Sequence, residues 1–263
     1  MIIVGEKINM SRSSVAKAWE QRDKGFIARL AADQAKAGAS YIDVNSGVYG
    51  EETECMEWLL SIVQDAVDLP VSIDTTHPGA LEKALSRVRR PPLINSVSGE
   101  KVRWSTFLPI LKGVDCRVIA LLMGDDGIPR SVEDRMKNAA FLIDKLVEAG
   151  ITVDRIFMDP CVVPIASDPA GGRTFLESLP RITETWPEVH LIAGISNVSF
   201  GLPMRALLNR TFLIMCVAKG LDAAILDPTD PGMHPAILAA RAVLAKDPYC
   251  MEYLKGFRKG DLG

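Results

Sequence analysis

The chain has 263 residues, 48% of them hydrophobic, which suits one α/β barrel domain of about 250 residues with a large buried core. Its formal net charge of -3, with no block of like charges, gives no electrostatic case for binding nucleic acid or a membrane surface. No run approaches the roughly 18 uninterrupted apolar residues of a membrane span, and the opening Met1-Ile2-Ile3-Val4-Gly5-Glu6 lacks the basic region and apolar length of a secretory signal, so a cytoplasmic protein is expected.

Short apolar runs, each closed by polar, Gly or Pro residues, predict strands at 2–4, 41–44, 71–73, 93–94, 118–122, 156–158, 191–195 and 223–226. They read as continuous apolar stretches, as parallel strands covered on both faces do. Helical spacing fills the intervals. Met56, Leu59, Leu60, Val63 and Val67 share one face. Ser131-Val-Glu-Asp134 predicts a side-chain cap, followed by a stripe of Met136, Ala140, Ile143 and Val147 that Gly150 ends. Eight strand–helix units predict a single (β/α)8 TIM barrel over residues 1–263. A doubly wound open sheet would carry a Gly-rich phosphate loop after an early strand, and Gly5-Glu6-Lys7-Ile8-Asn9 is not one.

Barrel chemistry lies at the C-terminal strand ends. Those ends supply Glu6 and Asn9, Asp43 and Asn45, Asp74, Asn95, Met123, Asp159, Ser196 with Asn197, and Asp227. Any one Asp or Asn among these is an ordinary turn or cap residue. Their convergence on one mouth is what points to a site. The mouth is acidic and amide-rich. Phosphosugar chemistry would need backbone amides or cations after the late strands, which instead read Gly-Ile-Ser-Asn and Leu-Asp-Pro-Thr-Asp. Schiff-base chemistry would need a lysine inside the barrel, and Lys7 is expected to face outward beside Glu6. A ligand rich in N–H donors fits better, a 2-amino-4-oxo pterin ring being one. A divalent-cation site is the other reading of such a mouth.

Five isolated cysteines, without a CxxC pair, read as free thiols packed in the core. Three histidines offer no triad or metal grouping, and no metal is expected on this chain. His77, in Asp74-Thr-Thr-His77-Pro-Gly79, has the wrong spacing for a corrinoid-binding Asp-x-His-x-x-Gly and reads as a turn residue before a helix.

Gly5-Glu6-Lys7-Ile8-Asn9, Ile42-Asp43-Val44-Asn45, Ser72-Ile73-Asp74-Thr75-Thr76, Ile94-Asn95-Ser96 and Met158-Asp159-Pro160 resemble segments of the pterin-binding barrels. With Gly194-Ile195-Ser196-Asn197-Val198-Ser199-Phe200-Gly201 and Asn209-Arg210-Thr211-Phe212-Leu213, the chain resembles the methyltetrahydrofolate:corrinoid protein methyltransferases from Met1 to about Tyr253. The resemblance implies tetrahydrofolate or 5-methyltetrahydrofolate as substrate, a corrinoid supplied by a partner protein, and a homodimer. It implies that Asp74, Asn95 and Asp159 hold the pterin ring, with Met123, Gly194 and Ser196 around it. Asn197 would reach the nitrogen that bears the methyl group, and Arg205 would shape the corrinoid-facing side. Glu6, Asn9, Asp43, Asn45 and Asp227 complete the candidate set.

Two features depart from the family pattern. Phe200 and Pro203 stand where some relatives carry polar residues, and Asp125 and Asp126 read as a solvated turn. A dihydropteroate synthase-like enzyme is the alternative, but GISNVSFGLP lacks the lysine its diphosphate leaving group calls for. A non-catalytic folate-binding barrel is the third reading. The direction of methyl transfer is not legible in the chain.

Overall fold

Alternation in a strand sends successive side chains to opposite faces, so a closed parallel barrel sorts each strand into an inner and an outer set. The computed structural model, which describes residues 1–47, 50–260 and 262, shows this sorting. Its strands are β1 (Ile2–Asn9), β2 (Tyr41–Asn45), β3 (Val71–Asp74), β4 (Leu93–Gly99), β5 (Arg117–Gly124), β6 (Ile156–Asp159), β7 (His190–Leu191) and β8 (Ala223–Leu226). All pair in parallel in the order β7-β6-β5-β4-β3-β2-β1-β8. The remaining seam closes where Gly194 pairs with Ile225, whose N–H donates to the Ala193 carbonyl at 2.9 Å.

The helices are α1 (Ser13–Glu20), α2 (Lys24–Lys36), α3 (Glu52–Ala66), α4 (Pro78–Leu85), α5 (Lys101–Leu111), α6 (Val132–Glu148), α7 (Gly171–Thr185), α8 (Arg205–Ala218), α9 (Met233–Val243) and α10 (Met251–Lys259). Their apolar faces pack on the outer side of the sheet and form the larger core. A second cluster fills the lower barrel: Val4, Tyr41, Leu93, Ile119, Phe157, Ile192 and Ala223. Two residues further along the same strands stand Glu6, Asp43, Asn95 and Asp159. In these four strands the barrel is thus apolar below and polar above, by a step of two residues.

Several sequence expectations hold. Met56, Leu59, Leu60 and Val63 are buried on α3. Ser131 and Asp134 form a reciprocal capping box, and Gly150 adopts φ +91° after α6. His77 caps α4, its Nδ1 accepting from the Ala80 N–H at 3.2 Å. Lys7 faces outward, pairing with Asp227 at 3.3 Å.

Two expectations are corrected. The buried stripe of α6 runs through Arg135, Ala139, Leu142, Ile143 and Leu146, while Ala140 and Val147 face solvent. The stripe turns because Arg135 takes a core position, where backbone carbonyls satisfy its guanidinium. Strand β7 ends at Leu191 rather than Ile195, and Ile195–Ser199 is a 3-10 turn. The Asn197 N–H bonds back to the Gly194 carbonyl at 3.2 Å, curling the chain over the barrel end.

Strand β1 carries an irregularity that the sequence did not announce. Its pairing with β2 shifts between Gly5 and Ile8, and the freed Lys7 N–H donates to Gln34 Oε1 of α2 at 3.0 Å. Gly5 leaves room for this, because a Cβ there would lie 2.5 Å from the same oxygen. A second shift separates Ser98 from Gly99 beside β5. A Cβ on Gly99 would sit 2.9 Å from the Met123 carbonyl, a backbone atom with nowhere to move. Gly99→Ala is therefore expected to destabilise the fold by about 1–3 kcal/mol. Urea denaturation checks this, and an unchanged midpoint would show that the β4–β5 junction yields.

Candidate active site

Strand register sets one row of polar side chains across the mouth. Asn9 pairs with Asn45, Asn45 with Asp74, and Asp74 with Asn95. The amide of Asn45 donates to Asp74 Oδ2 at 2.5 Å. One step deeper, Asp43 is buried and its Oδ1 accepts from Ser72 Oγ at 2.7 Å and Asn95 Nδ2 at 3.2 Å. Four of the candidates thus form two hydrogen-bonded groups, Asn45 with Asp74 and Asn95 with Asp43, the second including Ser72, which sequence reasoning missed.

No cation is bonded directly to these two carboxylates among the described residues. Burial, and next the charge of Asp74, push the Asp43 carboxyl well above the ordinary carboxylate range against the pull of Ser72 and Asn95. Burial raises Asp74 to about 6, opposed by the Asn45 hydrogen bond and the charge of Arg103. Arg103 lies over the Phe107 ring at 4.7 Å and donates to the Thr75 carbonyl at 3.3 Å.

Across the barrel, Asp159 is also buried and raised to about 6 by desolvation. The Cys161 N–H donates to it at 2.9 Å. The loop that carries this donor is held from behind by Arg135, whose Nε reaches the Pro160 carbonyl at 2.7 Å and whose Nη2 reaches the Cys161 carbonyl at 3.3 Å. Arg135 was not anticipated. Its signal was a charged residue at the helical spacing of Ala139, Leu142 and Leu146.

The turn after β7 completes the mouth. Ser196 Oγ donates to Glu6 Oε2 at 3.0 Å. Arg205 braces the turn from outside, with Nη2 on the Ser196 carbonyl at 2.7 Å and Nε on Ser199 Oγ at 3.0 Å. Ser199 in turn reaches Asn209 Oδ1 at 2.7 Å. Asn197 is exposed on this turn, and its carboxamide makes no hydrogen bond to any described residue. Gly194 lets that amide lie close, since a Cβ there would stand 3.0 Å from Asn197 Nδ2. A cavity of about 430 Å³ opens here, lined by Glu6, Arg12, Ser196, Arg205, Asn209 and Asp227.

Two candidates are engaged elsewhere. Asn9 Oδ1 accepts from the Ser11 N–H at 2.9 Å, and Asp227 is held by Lys7 and by Thr229 Oγ1 at 2.6 Å. Met123 is half-buried at the end of β5. Asp125 accepts from the Lys101 N–H at 3.0 Å, joining the loop after β5 to α5, while Asp126 is exposed. Among the described residues no group of three or more His, Cys, Asp or Glu side chains is arranged to hold a metal ion. Asn45, Ser72 and Asn95 bond to the acids instead.

Residues 5–227 match the family of pterin binding enzymes. The chain belongs to that family. It is 38% identical to the methylcorrinoid:tetrahydrofolate methyltransferase of Eubacterium limosum, over 100% of this chain and 98% of that protein. Within the pterin-binding family it is a methyltransferase. The methionine synthase of Mycobacterium tuberculosis is 26% identical over 86% of this chain, which spans only 20% of that longer protein. Among solved structures, dihydropteroate synthases from Clostridium difficile and Vibrio fischeri superpose with a TM-score of 0.71 each, at 18% and 19% identity. The first match covers 92% of this chain and 96% of the other, the second 94% of each. They establish the pterin-binding TIM-barrel fold.

The raised carboxyls of this pterin-binding enzyme give its stability a definite pH sign. A carboxyl whose folded pKa exceeds its unfolded value favours folding most at low pH, and that advantage is lost as pH rises through the folded pKa. For Asp74 the window runs from 3.8 to about 6. Asp74→Asn removes this titration. Relative to the parent, the variant is expected to gain up to about 3 kcal/mol between pH 4 and pH 7, at about 1.4 kcal/mol per pKa unit. Denaturation of both proteins across this range measures the difference, and a constant difference would place Asp74 at its ordinary value.

Proposed function

We propose that this methyltransferase moves a methyl group between N5 of tetrahydrofolate and the cobalt of a corrinoid carried by a separate protein. The observation that carries the reading is Asn197, an uncommitted carboxamide on a braced turn at the rim of a cup of buried acids and amides. Asp74, Asn95 and Asp159 suit the pterin ring: its amino and ring N–H groups would donate to the carboxylates, and the Asn95 amide can donate or accept. Such donors replace the hydration that burial withholds from Asp74 and Asp159. Met123, Gly194 and Ser196 would line the ring's surroundings.

A methyl group on a tertiary amine is a poor electrophile, because its departure would leave an anionic nitrogen. Asn197 has no useful pKa, so it serves as a donor whose hydrogen bond strengthens as charge develops on N5. The same site serves both directions, since one barrier is lowered for each. Anaerobic turnover of free cob(I)alamin with 5-methyltetrahydrofolate, followed by absorbance, tests the assignment, with the reverse reaction alongside. Asn197→Ala is expected to lose about 10²-fold in kcat, near 3 kcal/mol, the usual effect of removing one such donor. A parent protein that binds pterin yet transfers no methyl group to free or protein-bound corrinoid would remove the reading.

The acceptor must bring cobalt to the methyl group and therefore cover the rim beside Asn197. That rim is apolar. Phe200, Met204 and Leu207 are 67%, 74% and 59% exposed, on a segment whose base Arg205 ties to Ser196 and Ser199. The departure from the family pattern at Phe200 thus supplies contact area for the corrinoid-carrying partner. Phe200→Ser is expected to raise KM for that partner about tenfold, the loss of roughly 1.4 kcal/mol of apolar contact, while turnover of free cobalamin is unchanged. An unaltered KM would place the partner elsewhere.

A cytoplasmic homodimer completes the reading. No helix among the described residues is long and apolar enough to cross a membrane. Exposed Ile214 and Met215 on α8 support pairing of two copies.

A further inference from the structure

Methyl transfer at N5 requires a proton that Asn197 cannot supply. When the N–CH3 bond breaks, its electron pair stays on N5, which takes up a proton, while the methyl carbon accepts the electron pair of Co(I). In reverse, N5 loses a proton as it attacks the methyl group, and Co(I) departs with the bonding pair. Some group near Asn197 must exchange that proton with solvent.

We infer that Glu6 is this proton-exchange residue, acting on N5 through Ser196. The inference rests on the methyl-transfer reading above. Glu6 stands on the inner face of β1, and Ser196 Oγ joins it at 3.0 Å. Ser196 immediately precedes Asn197 on the same 3-10 turn. The pair lines the cavity of about 430 Å³ at the mouth, which gives Glu6 a route to water. The other buried acids are placed differently. Asp43 and Asp74 are hydrogen-bonded by side chains of β2, β3 and β4, and Asp159 is held by the loop after β6.

The surroundings suit a group that gains and loses a proton. Arg12 of α1 approaches Glu6 Oε1 at 3.4 Å. Arg205 of α8 also favours the anion, while Asp227 beyond β8 and Asp43 of β2 oppose it. Desolvation is the largest influence, and the carboxyl is raised. Burial therefore makes the protonated acid easier to reach than in an exposed carboxylate, while Arg12 and Arg205 keep the anion accessible, as exchange in both directions needs. In the forward direction the Glu6 proton passes to the Ser196 hydroxyl as that hydroxyl gives its own to N5. The carboxylate left behind is reprotonated from the cavity.

Glu6→Gln keeps an oxygen for Ser196 and removes the titration. In single turnovers with free cob(I)alamin, about 10²-fold slower methyl transfer is expected, the low end for a lost general acid. The pH dependence seen in the parent is expected to flatten, with tetrahydrofolate affinity by calorimetry unchanged. Ser196→Ala, which cuts the link and spares Glu6, is expected to flatten the same profile. It also decides the matter should Glu6→Gln fail to fold. Parent-like rates and pH dependence in either folded variant would overturn the inference. So would a loss explained by weakened folate binding alone. An inactive parent protein would instead refute the methyl-transfer reading.

Discussion

A carboxylate can enter the interior of a barrel only where donors wait for it, and the upper half of this barrel is organised by that requirement. Asp43 is met by Ser72 and Asn95, Asp74 by Asn45, Asp159 by the Cys161 amide, and Glu6 by Ser196. These donors are neutral. Each steadies the side chain without fixing it as an anion; Glu6 also meets the Arg12 guanidinium at 3.4 Å, but burial is the larger influence there, and all four carboxyls are raised. Lys7, on the outer face of β1, is spent on Asp227 and Thr229. The alternation of faces along a strand thus separates a lysine from a mouth whose acids need to remain adjustable.

Rigidity at this mouth comes from groups that do no chemistry themselves. Gln34 fills the register shift in β1 that follows Gly5, beside Glu6. Arg135 gathers the carbonyls behind Asp159, and Arg205 those behind Asn197. Loops would otherwise carry their ordinary mobility into the site. Here a charged or amide side chain, bonded to backbone, turns each loop into an extension of the barrel wall. The Asn197 carboxamide can then remain without a hydrogen-bond partner among the described residues while its position is still determined.

Much of this was legible in the sequence. Apolar runs closed by polar, Gly or Pro residues located every strand, because parallel strands packed on both sides are written as continuous apolar stretches. The Ser131–Asp134 cap and Gly150 fixed the ends of α6, because both signals are local. What escaped was polar and buried. Periodicity detects apolar positions, so it slid the stripe of α6 by one residue to avoid Arg135. It was also blind to Gln34, which follows Ile27 and Ala31 on the buried face of α2. Strand β7 was drawn too long because Ile192, Ala193 and Ile195 are buried whether the chain is extended or curled. Only the return of the Asn197 N–H to Gly194, a contact set by the barrel seam, ends the strand.

The likeness to dihydropteroate synthases leaves the chemistry open, since it shows fold alone, and the cations after the late strands bear on the choice. An enzyme that expels diphosphate needs positive groups free to receive it. Arg205 is instead committed to the Ser196 carbonyl and Ser199, and Arg210 to Asp230. Gly232 makes space for the second pairing, as a Cβ there would collide with the Arg210 guanidinium. Both arginines therefore brace loops, and the rim they leave at Phe200, Met204 and Leu207 is apolar. Such a rim suits an acceptor that arrives from outside as a broad face and leaves with one carbon. It offers little to a small anion released into water.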